Sequence, residues 1–141
     1  MLKIVLDTNV LVSALLKADT PPELIVSLIG QSLVTLCVSK PIVAEYREVL
    51  SRRKFRKLDR AKVKKLLSRL ESRAQWVTPR VPVEIIETDP EDNKFLECAL
   101  ESEADFLITG NTRHFPFEKF HHTRIVSPGE FIHFVARILL G

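Results

Sequence analysis

Four short apolar runs, "LKIVLD", "LVTLCVS", "ADFLITG" and "TRIVS", recur along the chain, and helical periodicity fills the stretches between the first three and follows the last. No other feature limits the fold as much. Strands separated by helices run parallel, joined by right-handed crossovers, and helices then cover both faces of the sheet. The expectation is an α/β fold, a three-layer α/β/α sandwich with a central, mostly parallel sheet. With 141 residues, 45% of them hydrophobic and 7% aromatic, one domain spanning residues 1–141 around an aliphatic core is expected.

The helices are marked by their apolar stripes and their ends. Val10, Leu11, Ala14 and Leu15 share one face of a helix after the first strand, and Pro21 and Pro22 open a second that closes near Gly30. In that second helix Leu24, Ile25, Leu28 and Ile29 suit either core packing or contact with a second copy. Ser39 precedes "KPIVAEYREVL", where Ile42, Val43, Tyr46 and Leu50 face inward and leave Glu45 and Glu48 near the margin of that face. Val63, Leu66, Leu67 and Leu70 give a basic helix a stripe to bury. "DPEDNKFLECALES" reads as another helix, and Ser127 with Pro128 just inside starts the last. Pro79 and Pro82 confine any strand in "WVTPRVPVEII" to a short or edge one.

Composition excludes several classes of function. The four glycines are too few and too scattered for the glycine-rich phosphate cradles of dinucleotide or P-loop sites. Cys37 and Cys98 lie far apart in apolar surroundings without metal-ligand spacing, which predicts buried reduced thiols. No apolar run reaches the roughly 18 residues of a membrane span, and the N-terminus lacks a signal-peptide pattern, so a cytoplasmic location and no membrane partner are expected. The net charge of +3 hides an asymmetry: residues 52–73 hold eleven Lys and Arg against Asp59 and Glu71, or +9, and the remainder sums to −6. A basic segment on an acidic body suits a polyanion held beside a separate acidic locus, the bland alternative being a solvated helix face.

Four acids are placed to form that locus. Asp7 ends the first strand and is followed by Thr8 and Asn9; Glu45 lies one turn into the helix after the next strand; Asp92 opens a helix; Asp105 starts the strand which that helix feeds. Each also has a plain structural explanation. Asp, Thr and Asn cap helices, an exposed helical Glu needs no special account, Asp92 favours a helix dipole, and Asp105 suits a polar strand start. Open α/β sheets, however, bind ligands at the carboxyl ends of their strands.

Taken in order, "LDTN", the isolated acid after the second strand, "DPEDN" and "ADFLITGN" resemble the motifs of the PIN domain family of nucleases, and the resemblance runs from Lys3 to the final "SPGEFI" helix. It is similar in particular to the branch of toxin components in bacterial and archaeal toxin–antitoxin pairs. The resemblance implies a metal-dependent endoribonuclease that hydrolyses RNA phosphodiester bonds, with a small antitoxin as partner and a homodimer as its assembly. By it, Asp7, Glu45, Asp92 and Asp105 match the catalytic, metal-binding acids, with Thr8, Asn9, Thr109 and Asn111 as small polar residues beside them. Asn111 stands where the family often has an acid, so one firmly bound ion is expected.

The physics of such a cluster agrees with a metal. Two carboxylates about 4 Å apart repel by roughly 4 kcal/mol at an effective dielectric of about 20, so four converging acids call for a cation. Oxygen-only ligands favour Mg²⁺ or Mn²⁺ over zinc, and all four groups must lie within roughly 10 Å of one another to share an ion. Arg52, Arg53, Lys54, Arg56 and Lys57 are expected to grip the nucleic-acid backbone, and His114 lies near the proposed mouth. The alternative is a catalytically weak nucleic-acid-binding or scaffold module of the same fold. A phosphoryl-transfer domain using Asp7 as nucleophile would generally place a second acid two residues on, where this chain has Asn9.

Overall fold

The computed structural model describes residues 1–87 and 89–140. In chain order these form β1 (Lys3–Leu6), α1 (Thr8–Leu16), α2 (Pro21–Gly30), β2 (Thr35–Val38), α3 (Lys40–Leu50), α4 (Arg60–Arg73), β3 (Gln75–Trp76), α5 (Asn93–Ser102), β4 (Phe106–Ile108), β5 (Lys119–Phe120), β6 (Thr123–Val126) and α6 (Pro128–Leu140). Short 3₁₀ turns occupy Arg53–Phe55, Pro90–Asp92 and Thr112–His114.

One six-stranded sheet runs in the order β3-β2-β1-β4-β6-β5. Its strand pairs are parallel except β5 with β6, among the described residues. The strands at the centre are buried almost throughout because helices lie on both faces, which is why they read as continuous apolar runs rather than alternating ones. The prolines at 79 and 82 have the expected effect: β3 is only two residues long and lies at the sheet edge. The architecture is the three-layer α/β/α sandwich. α1 packs on α2, which also meets α4 and α6, while α5 crosses β1, β2 and β4; crossovers of one hand put these two groups on opposite faces.

The order in which the strands are laid down positions the site. The chain moves outward from β1 through β2 to β3, returns through α5 to place β4 on the other side of β1, and continues to β6. Direction therefore reverses between β1 and β4, and a crevice opens at the carboxyl ends of those two strands. The Asp7 amide donates to the Ile108 carbonyl and the Thr109 amide to the Val126 carbonyl, each at 2.9 Å, so the ladder extends to the rim of that crevice.

The core runs from Ile4 to Phe131, with the Phe106 ring set edge-on against Phe131 at 5.3 Å. Ile25 and Ile29 are buried, so the α2 stripe is chiefly core, with Leu24 left half-exposed. Cys37 and Cys98 are buried and unbridged, and burial pushes the Cys98 thiol up to about 12, with Cys37 adding to the rise. Ser127 caps α6 reciprocally with Glu130: the Glu130 amide donates to Ser127 Oγ and the Ser127 amide to Glu130 Oε1. Among the described residues no helix is long and apolar enough to cross a membrane.

Tyr46 ties α3 to the site. Its buried hydroxyl donates to the Leu6 carbonyl at 2.5 Å, fixing the helix that carries Glu45 against the end of β1. Tyr46→Phe is expected to lower stability by about 1–2 kcal/mol, because the hydrogen bond is lost and a buried carbonyl is left without its donor. Urea titration checks this, with the midpoint falling and the slope unchanged.

Candidate active site

Asp7 occupies the N-cap position of α1 with extended backbone, yet its side chain makes no capping hydrogen bond. The carboxylate is held instead from β4: Thr109 Oγ1 donates to Asp7 Oδ2 at 2.8 Å, and the Asn111 amide donates to that same hydroxyl at 3.0 Å. Asn9 locks the rim from the other side, its Oδ1 accepting the Gly110 amide at 3.1 Å. Asp7 is 7% exposed. Burial raises its pKa more than the Thr109 hydroxyl and Asn9 amide lower it, and the Glu45 charge pushes the same way as burial.

Two further carboxylates face this one. Glu45, from the middle of α3, accepts the Thr8 hydroxyl on Oε2 and the Lys94 ammonium on Oε1, the latter at 2.6 Å. Asp92 ends the 3₁₀ turn before α5, and its carboxyl is pushed up to about 6, first by burial and then by the charges of Asp7, Asp89 and Glu45. His114 works against that rise, with Nδ1 3.8 Å from Asp92 Oδ2. Asp7, Glu45 and Asp92 thus come from three separate elements, and the Glu45 charge adds to the rise at both Asp7 and Asp92.

Asp105 does not join them. The register pairs Ile4 with Phe106 and Leu6 with Ile108, so Asp105 sits beside Lys3 at the amino ends of the strands, about 13 Å of extended chain from the rim. There Asp105 accepts the Lys3 amide at 2.8 Å and lies 3.3 Å from His122 Nε2. The expected quartet is a trio, and Asn111, after β4 at the same rim, has its Nδ2 2.9 Å from the His114 ring.

The trio is suited to a hard divalent ion by its all-oxygen donors and by the burial of Asp7. Continuing the β1–β2 register sets Ser39 beside Asp7, and the buried Ser39 Oγ has no hydrogen-bond partner among the described residues. Among the described residues no three His, Cys, Asp or Glu side chains already surround a common metal position, and Glu45 is engaged by Lys94 instead. Burial pulls the Lys94 pKa down, but the hydrogen bond and charge of Glu45, with Glu91 behind it, outweigh this and keep the amine charged.

A model of the PIN domain matches residues 3–113, covering β1 to the turn that holds His114. The chain belongs to the PIN domain family. PIN domains are, in general, metal-dependent nucleases. An uncharacterized protein of Methanocaldococcus jannaschii is 31% identical over 112 residues, 78% of this chain and 71% of that protein. Among solved structures, a chain of the VapBC2 assembly from Rickettsia felis, crystallised with a DNA fragment from its promoter, superposes with a TM-score of 0.57. That match is 17% identical and covers 89% of this PIN domain and 98% of the other chain, so it speaks for the fold.

Three residues have roles at this PIN domain's site that its sequence did not indicate. Lys94 is one. Asn93 is another: its Oδ1 accepts the Ile85 and Ile86 amides and its Nδ2 donates to the Ile86 carbonyl, which anchors the segment leading to Asp92. Tyr46 is the third. The basic segment lies at the far end of α3, with Arg52 bound to Glu48 through two hydrogen bonds of 3.1 and 2.8 Å. Among the described residues Arg53, Lys54, Arg56 and Lys57 make no ion pair with a carboxylate.

Proposed function

We propose that this PIN domain, residues 1–141 acting together, is a metal-dependent endoribonuclease and the toxin of a toxin–antitoxin pair, acting in the cytoplasm and neutralised by a small antitoxin. The observation that carries this is the convergence of Asp7, Glu45 and Asp92 at the switch point of the sheet, at a cost to the ionisation of Asp7 and Asp92. Asp7, Asp92 and Glu45 would hold Mg²⁺ or Mn²⁺, which supplies a charge that neutralises the cluster and polarises water and phosphodiester oxygens. Thr109 fixes the Asp7 carboxylate, Thr8 fixes Glu45, and His114 with Asn111 lines the mouth where a phosphodiester would enter. Arg53, Lys54, Arg56 and Lys57 are free to neutralise phosphates; Arg52 is committed to Glu48. RNA, the antitoxin and a homodimer follow from the resemblance of the motifs, and the VapBC2 likeness is consistent with such a partner.

Single-stranded RNA and DNA of matched sequence, incubated with the purified chain and Mn²⁺ or Mg²⁺, test the proposal. Internal cleavage of RNA that stops with a chelator is expected. Tight RNA binding without cleavage under either metal favours the binding module instead.

The ionisation of Asp92 gives a second check. Its carboxyl titrates near 6 in the folded chain against 3.8 ordinarily. The folded state therefore binds this proton more tightly, and the penalty for ionising it is absent below 3.8 and fully present above about 6. A divalent cation relieves the penalty and the proton competes with it. The rise in Tm caused by Mn²⁺ is expected to be largest above pH 7 and to shrink as pH falls through about 6. A Tm gain equal at pH 5 and pH 8 would place the ion elsewhere.

A further inference from the structure

We propose that Lys94 is an internal counter-ion of the acidic site, a fixed positive charge that sets the cluster's demand at one divalent ion. This rests on the metal-site reading above and concerns what the chain itself contributes to charge balance. Lys94 Nζ lies 2.6 Å from Glu45 Oε1 and 3.3 Å from Glu91 Oε2, and its side chain is 13% exposed. Glu91 is 82% exposed and contributes little, so the partner that matters is Glu45, on a different helix. The ammonium is also 6.0 Å from the ring of Phe95.

Two features show that the lysine is not there for the helix. Lys94 is in the first turn of α5, the positive end of the helix dipole, where a cation is disfavoured. It also lies two residues after Asp92, so the segment that brings a carboxylate to the rim brings the amine as well. As the candidate ligands, Asp7, Glu45 and Asp92 carry three negative charges when ionised, and Lys94 leaves that set a net −2, while the Asp89 charge acts on Asp92 from outside it. Asn111 adds none. That is the charge one divalent ion balances, and a second ion would meet a site already neutral.

An amine at this distance both repels an incoming cation and occupies an oxygen the cation needs. Its removal should therefore tighten metal binding, whereas loss of a merely structural ion pair would leave it unchanged or weaken it. The test is titration of the full chain with Mn²⁺, free ion read by electron paramagnetic resonance at pH 7.5, on the parent protein, Lys94→Met, Lys94→Arg and Asp7→Asn. Expected are one Mn²⁺ per parent chain, at least about tenfold tighter binding in Lys94→Met, parent-like affinity in Lys94→Arg, and loss of binding in Asp7→Asn. Circular dichroism shows whether each variant folds, and Lys94→Gln replaces Lys94→Met if the latter does not. Lys94→Met binding Mn²⁺ no more tightly than the parent overturns the counter-ion while leaving the metal site intact. A parent chain that binds no Mn²⁺ overturns the metal-site reading and the counter-ion with it.

Discussion

Asp7→Asn is expected to reduce metal-dependent RNA cleavage by about 10³-fold and, in the absence of metal, to raise the Tm. The two effects have one origin. Asp7 is the most buried of the three converging acids, and its pKa is raised because burial disfavours the charge more than the Thr109 hydroxyl supports it. An amide of the same shape removes the desolvation penalty and the repulsion from Glu45 and Asp92, while its carbonyl still accepts from Thr109 Oγ1, now 2.8 Å from Asp7 Oδ2. The charge needed to hold a cation is gone at the same time. Cleavage assays and thermal melts on the same preparation check this, and the Tm gain from Mn²⁺ seen in the parent should vanish. Undiminished cleavage would remove Asp7 from the site; a fall in Tm without metal would mean that the carboxylate is paired more favourably than its neighbours indicate.

The fold was legible because helical and strand periods alternate cleanly in this chain. What the pattern missed is instructive. Strand β5 has two residues and turns back through His121, which takes a left-handed φ of 53° without the glycine that would have advertised the turn. At the site, Asp105 was misplaced although a parallel sheet already forbids its role: Asp7 follows its strand and Asp105 precedes its own, so parallel pairing sends them to opposite edges. Lys94 and Asn93 could also have been found. A lysine in the first turn of a helix and an asparagine on the same stripe as Leu96 and Ala99 each contradict local preference, and such conflicts concentrate at sites. The contact of Thr8 with Glu45, 37 residues apart, has no local signature. At Asp7 the capping and site accounts coexist: the residue takes the N-cap position of α1 without a side-chain capping hydrogen bond, the Asn9 amide still lowers its pKa, and its carboxylate accepts from Thr109.

The basic segment carries the other large effect. Replacing Arg53, Lys54, Arg56 and Lys57 together by Ala is expected to weaken RNA binding by two to three orders of magnitude near 0.1 M salt, at about 0.7 in logarithmic slope per phosphate contact on a single strand, so the salt slope itself falls by about 3. These side chains are spared for the purpose because the loop is built by another residue: Arg60 donates to the carbonyls of Leu50 at 2.7 Å and Phe55 at 2.6 Å. The loop therefore keeps its course in the quadruple variant, and Tm should barely change. Arg52 lies seven residues beyond Glu45, about 10 Å along the helix axis, which puts the segment within reach of a strand whose phosphate sits at the carboxylates. Because the contacts act on bound RNA alike before and during reaction, KM should rise with kcat nearly constant. Arg52→Ala should have a smaller effect than any one of the four, since Glu48 already claims its guanidinium. An unchanged salt slope would make this face a solvated one, and the nuclease would then have to grip its substrate through other elements.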